Sequence, residues 1–328
     1  MRDFSYFRAG SLDEASREAA RAGSMVLAGG TTLLDLAKCG VAEPDSVIDI
    51  IHIAGLDRVT IDAGGASIGA LARMGDVADD PQIRAGFPAV AQSLALAASP
   101  QLRAMATIGG NLLQRTRCSY FREPTVFSAC NKRDPGSGCA AMDGVTRNHA
   151  VLGTSDACIA TYPGDLAVAL VAFDAVVHLG ARQIAIDEFF LLPGKTPDRE
   201  NRLESGEIVT AVTIPASIAA RHSTYLKVRD RQSYEFAAAS AACGLELEED
   251  GKTIRDVRIA LGGVATKPWR ARSVEAALRG QPLEADVVDS ASRLIVEDAV
   301  DRGANHYKID LAPRVIARAL MQAGELAR

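Results

Sequence analysis

Cysteine is scarce in this chain: six in 328 residues, too sparse for a disulfide-stapled secreted scaffold. Charge of one sign is lacking too, since 36 basic and 41 acidic residues leave a net charge of −5 and no basic footprint for nucleic acid. No run of about 18 apolar residues occurs, so a membrane span is not expected. Met1-Arg2-Asp3-Phe4-Ser5-Tyr6-Phe7 has no apolar stretch behind its charges, and a signal peptide is not expected either. There is no GxGxxG with its ribose-binding acid, as a Rossmann unit would need. No Ser-His-Asp set and no paired acids placed for hydrolysis can be found, nor any internal repeat or low-complexity segment.

What remains is the composition of a globular protein, 48% hydrophobic and 23% charged, long enough for two or three compact domains. Ser11 and Glu14 make a capping box for a helix over residues 11–23, with Gly23 as its stop. The strand Met25-Val26-Leu27 runs into Ala28-Gly29-Gly30-Thr31-Thr32, a helix follows from Leu33, and Val47–Ile50 reads as a strand. A hairpin is expected across Ala63-Gly64-Gly65, and an Ala-rich helix from Pro88 to Ala98. Strands are expected over residues 168–179, 182–186 and 208–214, with a turn-rich loop at 192–197 between them. Around residue 220 the texture changes to two alternating runs, 235–248 and 253–264, joined by a Glu249-Asp250-Gly251 turn. Helices are then expected near 270–279, 285–302 and 313–326.

Two turns carry paired glycines beside polar side chains: Leu27-Ala28-Gly29-Gly30-Thr31-Thr32-Leu33 and Ala106-Thr107-Ile108-Gly109-Gly110-Asn111-Leu112. Glycine lets backbone N–H groups approach a phosphate closely, and two such turns can clamp a diphosphate from both sides. A single Gly-Gly turn is more often only a turn. Four of the six cysteines, Cys118, Cys130, Cys139 and Cys158, fall in one window with the spacing C-x11-C-x8-C-x18-C. Four thiolates suit zinc or an iron–sulfur cluster. The close C-x2-4-C pairs of structural zinc sites are missing, which weakens zinc, and reduced unliganded thiols are the third reading. Cys39 and Cys243 read as buried small apolar residues. His149, also in this window, could contact a cluster or flavin, although a structural hydrogen bond is the plainer role.

The two turns, in order with Tyr162-Pro163-Gly164-Asp165-Leu166-Ala167, Gly206-Glu207-Ile208-Val209, Lys227-Val228-Arg229 and Lys267-Pro268-Trp269-Arg270, resemble the FAD-binding, or medium, subunits of molybdenum hydroxylases. That family includes xanthine dehydrogenase, aldehyde oxidoreductase and carbon monoxide dehydrogenase. The resemblance spans nearly the whole chain. It implies an α+β fold: a two-part FAD-binding domain of the vanillyl-alcohol oxidase and p-cresol methylhydroxylase type, then a C-terminal domain of three-stranded antiparallel sheet and helices. The implied boundaries are 1–217 (subdomains 1–55 and 56–217) and 218–328.

By the same resemblance, Leu27, Ala28, Gly29, Gly30, Thr31, Thr32 and Leu33 would wrap the FAD pyrophosphate, with Thr107, Gly110 and Asn111 completing the grip. Asp165 would bind a polar part of the dinucleotide, and Val209 and Lys227 would lie near the isoalloxazine ring. The alternatives for the last two acid–base positions are a turn-capping Asp165 and a solvated Lys227. In flavin subunits without a cluster the Gly-Gly-Asn turn leads almost directly to the Pro-x-x-Asp element. Here 51 residues separate Asn111 from Pro163, an insertion over 112–162 that resembles the subgroup carrying an extra 4Fe-4S cluster. The implied ligands are Cys118, Cys130, Cys139 and Cys158, with Arg115, Arg117, Arg122, Lys132 and Arg133 offsetting their charge.

The expected function is electron transfer. A large subunit with the molybdenum cofactor would oxidise the substrate, a small subunit with 2Fe-2S clusters would relay electrons, and this chain would pass them through FAD to an external acceptor. The expected location is cytoplasmic, or periplasmic by export with a signal-bearing partner. A self-sufficient flavoprotein oxidase and a non-catalytic assembly scaffold are the two rival readings.

Overall fold

The computed structural model describes residues 1–327; Arg328, the end of the expected C-terminal domain, lies outside the described residues. The first sheet is parallel, with β1 (Ser5–Arg8), β2 (Ser24–Leu27) and β3 (Ser46–Asp49) in the order β1-β3-β2. Its first helix, Leu12–Ala19, is shorter than expected. The Ser11 hydroxyl accepts the Glu14 N–H at 3.2 Å while the Glu14 carboxylate accepts the Gly10 N–H at 2.7 Å, so the reciprocal cap reaches one residue further upstream than the usual box. Gly23, at φ +72°, turns the chain into β2. A second helix, Leu33–Lys38, starts directly after the first glycine turn.

The second sheet is antiparallel: β4 (Val59–Asp62), β5 (Gly65–Gly69), β6 (Val176–Leu179), β7 (Arg182–Ala185) and β8 (Ala211–Pro215), in the order β4-β5-β8-β6-β7. The strand expected over 168–179 is broken in two. Leu166–Ala172 is a helix with every residue buried, and Asp174, at φ +51°, turns the chain into β6. An element that is apolar on all sides shows neither a period of 3.6 nor one of 2, so the sequence pattern could not separate helix from strand.

The third sheet has four antiparallel strands where three were expected. The two long runs form β10 (Ala239–Leu247) and β11 (Ile254–Gly262), β9 (Ser223–Val228) flanks β10, and the two-residue β12 (Trp269–Arg270) flanks β11. Three helices follow this sheet in the chain. Arg272–Leu278 agrees with expectation, whereas Ala285–Ser292 gives way to a 3-10 turn at Arg293–Val296 instead of continuing to 302. The last helix runs from Tyr307 to Ala327 with Pro313 inside it. The proline removes one hydrogen bond, and the buried stripe of Ala312, Val315, Ile316, Ala319, Leu320 and Ala323 offsets that loss.

The sheets do not stand apart. One apolar core joins the helices Pro88–Ala95 and Leu166–Ala172 to Tyr225, Ala242 and Ala260 of the third sheet. The edge strand β9 is sealed by Gln92, whose side-chain oxygen accepts the Tyr225 N–H at 2.7 Å and the Thr224 hydroxyl at 3.1 Å; an unsealed edge would offer these groups to another chain. Arg270 and Glu275, both almost fully buried, form an ion pair. Arg270 also donates to the Val171 carbonyl at 2.6 Å, and Glu275 accepts the Ile259 N–H at 2.8 Å. Replacing Glu275 by alanine leaves a buried guanidinium short of its closest acceptor, so denaturant unfolding should show a loss of about 3–5 kcal/mol. A loss below 1 kcal/mol would show that Asp174, 3.0 Å from Arg270, suffices as partner.

The insertion is sewn into the third sheet's layer. Val264 O accepts N–H groups from Val151 and Leu152, Val151 O accepts from Val300, and both Val151 and Leu152 lie in the C-terminal core. No helix among the described residues is long and apolar enough to cross a membrane.

Candidate functional site

The two glycine turns meet back to back. A Cβ on Gly29 would fall 2.0 Å from the Met105 carbonyl oxygen, so the first turn rests on the backbone leading into the second. Gly30 has φ +72°, a conformation that other residues adopt only with strain. In the second turn, Thr107 caps the short helix Ile108–Leu112, its hydroxyl accepting the Gly110 N–H at 3.3 Å.

Two cavities open from these turns and share Thr31, Thr32 and Gly110 in their walls. The first, about 350 Å³, is mainly apolar and is lined by Ala28–Leu33, Thr107, Gly109, Ile208 and Val209. The second, about 550 Å³, is more polar and has Asp35, Asn111, Arg117, Arg122 and Asp165 in its walls. A third, about 490 Å³, shares Arg117, Pro163, Asp165 and Phe236 with the second and ends at Cys118 and His149. A dinucleotide fits this arrangement. The doubled glycine backbone lies where the lobes join, the apolar lobe suits an aromatic base, and Asn111 Oδ1 is buried without a partner, an acceptor that a ligand hydroxyl or N–H would satisfy.

Most of the expected FAD residues come together here. Leu27, at the end of β2, lines neither of the two cavities that open from the turns. Val209 lines the apolar lobe, while Lys227 lies behind the polar one. The Lys227 ammonium bonds Asp165 Oδ2 at 2.8 Å and Leu96 O at 3.1 Å, and its side chain is 1% exposed. It is not a solvated strand lysine. Asp165 Oδ1 accepts the Tyr225 hydroxyl at 2.7 Å, and Tyr225 also reaches Ser240 Oγ at 2.9 Å. Burial pushes the Asp165 carboxyl up from its ordinary value, against the opposing pull of Lys227 and Tyr225. Tyr225 was not expected at the site, since nothing local in its strand sets it apart.

The four clustered cysteines converge as well. Cys118 precedes the short helix Ser119–Arg122, Cys130 faces Cys139 across an antiparallel bridge, and Cys158 sits in a turn closed by Ser155. Asn131 shapes the loop between the middle pair, its Oδ1 accepting N–H groups from Gly136 at 3.1 Å and Gly138 at 2.9 Å. Both glycines have positive φ, at 90° and 98°. Burial pushes the Cys118 thiol up to about 12, and burial likewise raises Cys139 and Cys158. Other cysteines of the set raise them further: Cys158 and Cys130 act on Cys118, Cys130 on Cys139, and Cys139 and Cys130 on Cys158. Opposing this, backbone N–H groups of Tyr120 and Phe121 act on Cys118, those of Ala141, Met142 and Ile159 on Cys139, and that of Ala160 on Cys158.

Two buried and two half-buried cysteines with convergent backbone donors fit a set that is ionised when it holds a positively charged centre. Among the described residues no group of three or more His, Cys, Asp or Glu side chains is arranged to hold a metal ion.

The basic residues around the cysteines are largely engaged elsewhere. Arg115 and Lys132 share Glu200, Arg117 and Arg122 share Asp35, and Arg133 donates to the carbonyls of Tyr120, Phe121, Phe127 and Ser128. Lys132 is the one whose charge acts on a thiol, that of Cys158. Asp35 belongs to the helix that starts at the first glycine turn, so this pairing clamps the insertion to the nucleotide end of the site. Of the other cysteines, Cys243 is fully buried as expected, but Cys39 is only half-buried.

Comparison with known proteins agrees with this geometry. Residues 2–217 match the FAD binding domain in molybdopterin dehydrogenase, and residues 224–323 match the CO dehydrogenase flavoprotein C-terminal domain. The aldehyde oxidoreductase FAD-binding subunit PaoB of Escherichia coli is 43% identical, over 98% of this chain and 99% of that one. The glyceraldehyde dehydrogenase medium chain of Sulfolobus acidocaldarius is 28% identical, over 98% of each. Carbon monoxide dehydrogenase from Hydrogenophaga pseudoflava superposes with a TM-score of 0.76 at 26% identity, covering 100% of this chain and 99% of that one. The chain belongs to the family of FAD-binding medium subunits of molybdenum hydroxylases.

Proposed function

We propose that this chain is the electron-output subunit of a molybdenum-dependent aldehyde oxidoreductase, holding FAD between its two glycine turns and a 4Fe-4S cluster on Cys118, Cys130, Cys139 and Cys158. The observation that carries the reading is the shared wall: Thr31, Thr32 and Gly110 join two cavities, and Asp165 joins the second to a third that ends at Cys118. FAD, when bound, supplies a centre that exchanges electrons singly or in pairs. The protein's part is to grip the dinucleotide through Gly29, Gly30, Thr31, Thr32, Thr107, Gly110 and Asn111. Lys227 orients Asp165 and balances its charge in the dry interior.

Substrate oxidation belongs to a partner with the molybdenum cofactor, and a second partner with 2Fe-2S clusters hands electrons to this chain. The 43% identity to an aldehyde oxidoreductase subunit supports an aldehyde as the substrate of the assembled complex. Residues 1–217 form the FAD-binding part, 112–162 its cluster-bearing insertion, and 218–328 the C-terminal part. The chain shares the compartment of its partners, whether cytoplasmic or periplasmic.

Anaerobic titration tests the division of labour. Aldehydes should bleach the flavin of the assembled complex and leave that of the isolated FAD-loaded chain oxidised. Bleaching in the isolated chain would replace this reading with a self-sufficient flavoprotein oxidase.

A further inference from the structure

We propose that His149 is a positioning residue for the cluster, donating a hydrogen bond from Nε2 to the Cys118 thiolate and so raising the cluster's reduction potential. The inference rests on the cluster reading above. His149 Nε2 lies 3.2 Å from Cys118 Sγ, and the residue is 5% exposed. Its Nδ1 is buried without a partner. A ligating cysteine is a thiolate, which accepts hydrogen bonds and donates none. An imidazole with its bare nitrogen toward the sulfur would set two lone pairs against each other and leave a buried Nδ1–H with no acceptor. The opposite tautomer removes both conflicts, placing Nε2–H on the sulfur and a bare lone pair at Nδ1. Whatever the ring's total charge, the proton at Nε2 stays.

The contact is built rather than incidental. His149 N–H is held by Thr146 O at 2.8 Å, and the Thr146 hydroxyl donates to Arg302 O at 2.7 Å. On the other side, fully buried Asn305 donates to Ala150 O at 3.0 Å. Thr146 and Ala150, which bracket the histidine, are thereby fixed to the segment leading into the last helix. Tyr120, two residues after Cys118, stacks obliquely on the imidazole with ring centres 5.9 Å apart. A donor on a cluster thiolate withdraws negative charge from the sulfur. The reduced cluster carries one more electron and gains more from this than the oxidised one, so the potential rises.

The test uses the complete complex purified anaerobically, with His149→Phe and His149→Gln made in this chain. Iron and acid-labile sulfide are measured first, then the cluster midpoint by EPR-monitored redox titration. His149→Phe keeps the stack and loses the donor, and should retain its iron while its reduction equilibrium falls about tenfold, a shift of about 59 mV for a one-electron couple. His149→Gln restores an N–H and should recover most of that shift. An unchanged midpoint in iron-replete His149→Phe overturns the inference and leaves the cluster reading intact, whereas wild-type complex without the cluster's iron overturns both. Should the phenylalanine variant lose its iron, pulsed EPR of wild-type complex carrying 15N-histidine decides. Weak coupling to an imidazole nitrogen supports the hydrogen bond, and its absence overturns it.

Discussion

Replacing Gly29 by alanine should yield a complex that assembles but retains little flavin, with FAD affinity lowered at least about 100-fold, or about 3 kcal/mol. The new Cβ would stand 2.0 Å from the Met105 carbonyl oxygen and 2.8 Å from its carbon. Both atoms are backbone and cannot rotate away, so the two turns must separate. Separation widens the gap in which the diphosphate would lie, at the point where both cavities join. Gly30→Ala is the comparison that isolates the cause. Its Cβ would meet Leu34 Cδ1 at 3.1 Å, the movable end of a side chain, and the main penalty is the positive φ, about 1–2 kcal/mol. FAD released per complex, measured after denaturation, should therefore rank wild type above Gly30→Ala above Gly29→Ala. Full flavin in Gly29→Ala would remove these turns from the nucleotide site.

Serine in place of Cys158 should leave the complex yellow and short of one complete iron–sulfur cluster. Cys158 is buried, and its sulfur accepts the Ala160 N–H at 3.4 Å. A serine hydroxyl at that position is a poor, uncharged substitute for a thiolate in binding soft metal. Cys139→Ser should have the same effect, because losing one of four thiolates opens the cluster to solvent and further loss of iron. Cys243→Ser changes an equally buried cysteine far from the set in sequence and should keep every iron. Iron and acid-labile sulfide counts separate the outcomes: zinc in place of iron, or unchanged iron in Cys158→Ser, would dispose of the cluster assignment.

Much of the site was legible because its parts are local. A Gly-Gly pair beside threonines is read from consecutive residues, and both pairs line the apolar cavity. The capping box at Ser11, the Asp250 hairpin and the cysteine window are local in the same way. Contacts made by folding left no such mark. His149 meets Cys118 from 31 positions away, a contact that its place in the cysteine window only hinted at, and Tyr225 meets Asp165 from 60 with nothing in its strand to announce a partner. The helix Leu166–Ala172 was misread as strand because complete burial erased its period. β12 escaped notice because its two residues, Trp269 and Arg270, are too few to show any pattern. The buried pairing of Lys227 with Asp165 has no local mark either, since it depends on the helix that carries Gln92 closing over that edge.

The stitching of the insertion to the C-terminal layer sets an order of events in the making of the protein. Ala150 O is bonded by Asn305, 155 residues later in the chain, and Val151 by Val300 and Val264. A ribosome that has just released Cys158 has not yet made any of those partners. The stretch just before Cys158 can reach its final packing only when synthesis is nearly complete. Cutting the insertion out would also leave a hole in the C-terminal core where Val151 and Leu152 belong, so a version of this subunit without the insertion is reached by repacking that core and not by deletion alone.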